Sequence, residues 1–246
     1  MKPYYNHILE WAKTNAKGGR VVEVGSGDAE YLVYASKELD IHGCDVREHA
    51  GKDKKRFETV SRRLVDSGLE ESRYQWIQEK EPLPFEDNSA AVILSIQTLE
   101  HVSPIHHLFS EIHRVLQPGG KALHYFPTSN ILVDPHCGIP FAHKFSGSLS
   151  RYLRKASMLG IGKFKAYERE RGYTLDQYVS EFETYILQLC HYRSPGEYIQ
   201  LSNWAGLGAK FQCPPPLPRW QWLAYVAGLF ASVYLIQEKP SVNSLL

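Results

Sequence analysis

The stretch VVEVGSGDAEYL, residues 21 to 32, decides the fold: a short β-branched run, a turn built on two glycines, then residues able to open a helix. A strand, glycine turn and helix in that order bring backbone N–H groups against a ligand at the carboxyl end of the strand. A GxGxxG dinucleotide fingerprint would need a glycine at position 30, where close helix packing demands it, and this chain has Glu30. That argues against NAD and FAD. Glu23, two residues before Gly25, can reach over the loop toward a cation, a placement a pyrophosphate would not tolerate well.

Outward from the loop, Asp45 follows Gly25 by twenty residues and ends a second apolar run, LDIHGCDV. An acid there can accept hydrogen bonds from both hydroxyls of a ribose. A cation at Glu23 and a ribose at Asp45 describe S-adenosylmethionine; the blander reading makes GSG a plain turn and Asp45 a cap. Three more apolar runs follow, RYQWIQ, AAVILSI and KALHYF, separated by helical periodicity. Such alternation is the pattern of a parallel sheet covered by helices, an α/β Rossmann-like fold. The helix before KALHYF is well marked, with Ser103 as N-cap, Pro104 at the first helical position and Ile105, Leu108, Phe109, Ile112 and Leu116 at helical spacing. Pro118, Gly119 and Gly120 should stop it.

After Phe126 the alternation lapses for about eighty residues, which predicts an inserted helical subregion, placed at 127–194 and assigned to substrate binding. One helix should begin at the capping box Thr174/Gln177 and bury Leu175, Tyr178, Val179, Phe182, Ile186 and Leu189. Another should begin at Ser194, Pro195 and Glu197 and end near Ala205, with a return to the sheet through AKFQC. Residues 1–19 read as an amphipathic cover helix with Tyr4, Tyr5, Ile8 and Trp11 on one side, a stripe that could equally be core. Trp222 to Ile236 is too short and too polar to span a bilayer and reads as a buried helix running into a last strand.

The chain has 246 residues, 43% from the hydrophobic set and 22% charged, with a formal net charge of +1. That is an ordinary globular composition: it excludes disorder and collagen-like repeats and gives no global case for nucleic acid binding. A single domain over 1–246 is expected. Cys44, Cys137, Cys190 and Cys213 are scattered and form no CxxC pair, which suits a reducing compartment, the cytoplasm. No metal site is expected either: a set of His101, His106 and His136 would lack HExxH-type spacing.

VVEVGSGDA, GCDV, LPFEDNSAAVILSIQTLEHV with LFSEIHRVLQPGGKALHYF, and the terminal VYLIQEKP together resemble the class I S-adenosylmethionine-dependent methyltransferases, in particular the branch of quinone and small-molecule (type 11) enzymes. The likeness covers roughly residues 20 to 126 and 195 to 240, and Ala29 stands where the family's third glycine is usual. It implies a mostly parallel seven-stranded sheet with an antiparallel last strand and helices on both faces. It further implies that Glu23 meets the methionine amino group, that Gly25, Ser26 and Gly27 line methionine and ribose, and that Asp45, with Val46 beside it, holds the ribose hydroxyls. Glu79 and Lys80 would meet the adenine edge, and Ser95 and Gln97 would sit beside the sulfonium.

Methyl transfer from a sulfonium requires alignment and exclusion of water, and a weakly acidic oxygen acceptor gains from a base. His101, in LEHV after the fourth apolar run, and His136 and His143, in PHCGIPFAHKFS beyond the fifth, are the candidate catalytic groups; each could instead be a histidine satisfied locally. Tyr5, Lys144 and Arg151 are candidate substrate contacts. Between Asp134 and Glu168 there is no acidic residue, whereas Lys144, Arg151, Arg154, Lys155, Lys163 and Lys165 fall there. That run fits an anionic acceptor, or an anionic membrane surface carrying one, or ordinary solvated surface. The expected activity is O-methylation of a hydroxylated or sugar-like molecule. C- or N-methylation of an aromatic acceptor and a non-catalytic cofactor-binding module are the alternatives.

Overall fold

Every residue of VVEV is buried, which places this run in the interior of a sheet: Val21–Val24 form strand β1. The computed structural model describes residues 2–47, 54–212 and 232–241. β1 lies parallel between β2 (Ile41–Val46) and β4 (Ala90–Ile96). β3 (Tyr74–Ile77) extends the sheet beyond β2, and β5 (Leu116–Phe126) lies beside β4. β7 (Val233–Glu238) runs antiparallel between β5 and β6 (Gly208–Gln212). The order is therefore β3-β2-β1-β4-β5-β7-β6, with six strands in one direction and only β7 reversed.

Both faces of the sheet are covered, and neighbouring residues of a strand divide between them. Val21, Val92, Leu94, Leu123 and Tyr234 join the core formed with α1 (Pro3–Ala16), α2 (Glu30–Ala35) and α3 (Lys54–Asp66). Val22, Ile93, Ala122 and Leu235 join the opposite core, with Phe109 and Ile112 of α4 (Ile105–Val115) and Tyr198 of α8 (Pro195–Trp204). α1 serves both readings of its apolar stripe: Ile8, Leu9, Ala12 and Ala16 are core, while Tyr4 and Tyr5 reach a surface cleft. Pro104, not Ser103, is the N-cap of α4, so the helix begins one residue later than the sequence suggested. Leu116 belongs to β5, where it pairs with Ala90, so the helix ends by passing directly into a strand ahead of the Pro-Gly-Gly turn.

The insertion has a core of its own, built from Cys137, Ile139, Leu149, Leu153, Phe164, Tyr178, Phe182 and Ile186. It contains α5 (Leu149–Met158), α6 (Phe164–Arg171) and α7 (Leu175–Thr184), and no start signal had marked α6. Thr174/Gln177 and Ser194/Glu197 both form reciprocal capping boxes, which satisfy N–H groups at the starts of α7 and α8. α7 continues into a π-helical turn, Tyr185–Leu189, whose wider register rotates Leu189 off the buried face, leaving it 47% exposed. α5 ends at Met158, and Leu159 just beyond it is 77% exposed. The helix anticipated from Trp222 lies outside the described residues, as does Cys213, and of that segment the strand appears from Val233.

Candidate active site

A cleft of about 390 Å³ opens at the carboxyl end of β1, lined by the glycine loop, by Lys2, Tyr4 and Tyr5 from the N-terminal segment, and by Ile96 and Gln97 after β4. Gly25 has φ +74°, and a Cβ there would collide with the Thr98 side chain, so both the turn and the packing demand glycine. Ala29 is buried with φ +58° at the N-cap of α2, a left-handed residue in the place where the family's third glycine is usual. Tyr74 of β3 donates to the Gly27 carbonyl at 2.7 Å and braces the loop from below.

The polar groups of this cleft are set for a ligand of mixed charge. Glu23 is 2% exposed, and its Oε2 is buried without a hydrogen-bond partner. Burial, with the charge of Asp45 adding to it, pushes its carboxyl up to about 8. Asp45 closes β2, buried behind the glycine loop and not itself among the residues lining the cleft: Oδ2 accepts from Gly27 N at 2.7 Å and Oδ1 from Val46 N at 2.7 Å. Arg56 of α3 approaches Oδ2 at 3.4 Å while pairing with Asp28 at 2.9 Å. Lys2 pairs with Glu30 at 2.9 Å, and Tyr5 donates to the same carboxylate at 2.9 Å. A buried acid for an ammonium, a strand-end acid for vicinal hydroxyls and cations at the rim fit S-adenosylmethionine.

Of the other cofactor candidates, Gln97 lines the cleft, held with φ +54° by a 2.8 Å bond from its Nε2 to Ser232 Oγ. Ser95 faces inward: its hydroxyl shares a 2.7 Å hydrogen bond with His124 Nδ1 and is 1% exposed, a brace of the sheet rather than a cleft wall. Glu79 and Lys80 are exposed beyond β3 and are not among the residues lining the cleft. Tyr5 lines the cleft, whereas Lys144 and Arg151 are exposed on the insertion.

The candidate histidines converge from separate elements. His101 lies in the 3-10 turn Leu99–His101 after β4, and its ring centroid is 5.6 Å from that of His136. Tyr185 packs on both, at 5.5 and 4.8 Å. Asp134, fully buried, lies 3.3 Å from His136 Nδ1, and Tyr192 hydrogen-bonds Asp134 at 3.0 Å and His136 at 2.9 Å. Burial opposes ionisation of Asp134, but His136, backbone N–H and Tyr192 outweigh it and hold its carboxyl below the usual range. His143 is one step removed, ring to ring with Tyr192 at 5.3 Å and its Nε2 3.3 Å from the Ser129 carbonyl; burial lowers its pKa. His106 stands apart on α4 against Trp204.

Sequence reasoning missed several partners. Arg56 and Thr98 carry no local signal, because what they touch is about thirty and seventy residues away in sequence. Asp134, Tyr185 and Tyr192 carry no local signal either, being three polar residues among many in the insertion. Glu100 went unassigned beside the more conspicuous His101.

Residues 22–124 match the methyltransferase domain family Methyltransf_11. No curated protein matches the chain in sequence. Among solved structures, an S-adenosylmethionine-dependent methyltransferase from Mesorhizobium loti aligns at 15% identity and TM-score 0.57, over 96% of this chain and all of that one. Geranyl diphosphate methyltransferase in complex with S-adenosylmethionine aligns at 18% identity and TM-score 0.54, over 97% and 84%. YcgJ from Bacillus subtilis aligns at 15% identity and TM-score 0.54, over 96% and 98%. These likenesses concern the fold; the family match, the glycine loop and its two acids concern the chemistry. Residues 22–124 thus carry a methyltransferase domain of this family, on a fold shared with S-adenosylmethionine-dependent methyltransferases.

Proposed function

We propose that this methyltransferase transfers its methyl group to an oxygen of a hydroxylated, sugar-like small molecule that bears negative charge. The observation carrying this reading is the polar cluster of His101 and His136, backed by Asp134, Tyr185 and Tyr192, beyond the carboxyl ends of β4 and β5. Ligands of open α/β sheets bind at that end. An acceptor whose hydroxyl is a poor nucleophile needs groups that orient it and take its proton, and a wall of imidazoles supplies them. A thioether acceptor, which loses no proton on methylation, would have no use for such a wall.

S-adenosylmethionine supplies an electrophilic methyl group on a sulfonium, transferred by in-line displacement. In our reading Glu23 holds the ammonium, Asp45 the ribose hydroxyls, and the Gly25–Gly27 backbone the atoms between them. Tyr4 and Tyr5 exclude water from the mouth. The histidine cluster orients the acceptor oxygen and receives its proton, while Arg151 and Lys144 attract the acceptor's negative charge. The free, buried Cys44, Cys137 and Cys190 favour a reducing compartment, the cytoplasm in our reading. Among the described residues no helix is long and apolar enough to cross a membrane.

The rings of Tyr185 and Tyr192 support a second reading, C- or N-methylation of an aromatic acceptor stacked on them. Screening hydroxyl, amine and aromatic acceptors and fixing the site of the new methyl group by mass spectrometry and NMR separates the two. His101→Ala and His136→Ala should each lower turnover on the oxygen acceptor by roughly 100-fold with little change in cofactor affinity. Near-normal turnover in both would remove the cluster from the reaction.

A further inference from the structure

Glu100 is the residue least explained by the fold. It sits in the turn after β4 at 0% exposure, and both carboxylate oxygens are buried without a hydrogen-bond partner. A lone buried carboxylate costs several kcal/mol unless something positive meets it, yet no Lys or Arg pairs with it among the described residues. What it faces is imidazole. Its Oε1 lies 3.9 Å from His101 Nε2, and one donor atom each of Glu100, His101 and His136 falls within 4.8 Å of the others.

Both imidazoles are fixed from behind. His101 Nδ1 is 2.6 Å from the Leu189 carbonyl, which can only accept, so that nitrogen carries the proton and the lone pair is on Nε2, which the Tyr185 hydroxyl reaches at 3.3 Å and Glu100 Oε1 faces at 3.9 Å. His136 is steered by Asp134 and by the Tyr192 hydroxyl, which set its tautomer. A carbonyl or carboxylate behind each ring is how metal-ligating histidines are oriented and made more basic. The loop carrying these partners is pinned in turn: Arg193 reaches the Val102 carbonyl at 3.0 Å, and His191 N donates to the Glu100 carbonyl at 2.6 Å.

We propose that Glu100, His101 and His136 bind one divalent transition-metal cation of the Zn2+ type. Two imidazoles and one carboxylate suit borderline cations, whereas Mg2+ and Ca2+ prefer oxygen donors throughout. Three protein ligands leave a coordination position open, as in catalytic rather than structural sites. The cation neutralises the buried acid and offers the open position to an acceptor oxygen, whose pKa it lowers; with both imidazoles held on the cation they orient the acceptor, and its proton passes to solvent water instead of to the cluster. This use rests on the O-methylation reading; binding of the cation does not. The expectation that the chain holds no metal rested on spacing along the chain. Spacing fails here because two donors come from the turn after β4 and the third from the loop after β5.

The test uses full-length protein stripped with a chelator and titrated with CoCl2, read by visible d–d absorption, and with ZnCl2, read by calorimetry. One equivalent per chain is expected, with affinity lowered at least tenfold in Glu100→Gln and in His136→Ala and unchanged in His106→Ala. Absence of saturable one-to-one binding by the native protein, or undiminished binding by His136→Ala, overturns the proposal. If Glu100→Gln does not fold, His136→Ala decides, since its ring lies at the edge of the cluster. Cofactor affinity is measured on the same metal-free protein, so that failure of the cofactor assignment appears separately.

Discussion

Around the glycine loop the cleft is built largely of main chain: Gly25, Ser26 and Gly27 form its wall, and two carboxylates, Glu23 and Asp45, flank it. Where the insertion meets the turn after β4 the reverse holds. There Glu100, His101, Asp134, His136, Tyr185 and Tyr192 meet as side chains drawn from four stretches of chain, and backbone serves only to pin them. A site made of backbone is specified by residues a few positions apart, while a site made of side chains depends on how a whole subdomain folds. The first can be shared across a family while the second changes the acceptor.

That contrast makes the loop the place where a single methyl group should do most harm. Gly25→Ala forces alanine into a left-handed conformation and drives its Cβ into Thr98, at a combined cost of about 3 kcal/mol. The melting temperature should fall by roughly 6–12 °C, read by differential scanning calorimetry, with cofactor binding lost in parallel. A variant that melts and binds like the native protein would break the backbone half of the comparison.

Glu23→Gln should act in the opposite direction on stability. The folded protein holds this carboxyl at about 8, above its ordinary value near 4.5. Its burial is therefore tolerated fully below pH 4.5 and costs progressively more as pH rises through 8. The amide removes that cost, so the cofactor-free variant should melt a few degrees higher than native protein at pH 8.5 and nearly equally at pH 5. It should also bind the cofactor about tenfold more weakly, because the ammonium loses its charged partner. In native protein cofactor affinity should rise from pH 6 to 8, as the cation favours ionised Glu23. A flat profile with no gain at pH 8.5 would show that Glu23 faces no cation.

The smallest effect belongs to the exposed basic face of α5. Arg154 already pairs with Asp176 of α7, so Arg151 carries more of the attraction. Arg151→Gln with Arg154→Gln should raise the acceptor KM a few-fold, and the effect should shrink as salt shortens the screening length to about 8 Å. A KM indifferent to both would leave this face as ordinary surface.

The same division explains how much could be read from sequence. The loop, the strand VYLIQE and both capping boxes were legible, because each is fixed by residues three to seven positions apart, whereas the antiparallel direction of that strand, a pairing with distant β5, came only with the family resemblance. Ser95 was misread because β4 is buried on both faces, so no polar alternation tells which side a residue faces. Leu189 was misread because helical periodicity cannot foresee a π-turn. The histidines could be picked out by type and by nearness to strand ends, but Glu100 could not: its importance lies in being buried without a partner, a property of the folded chain alone.

Calorimetric titration of S-adenosylmethionine into Asp45→Ala and His136→Ala, beside the native protein, tests the division of labour most directly. Loss of the carboxylate proposed to hold the ribose should raise the dissociation constant about tenfold or more in Asp45→Ala at an unchanged fold. His136→Ala should stay within about twofold of native. Native affinity in a folded Asp45→Ala protein, or a loss in His136→Ala as large as in Asp45→Ala, would contradict the account.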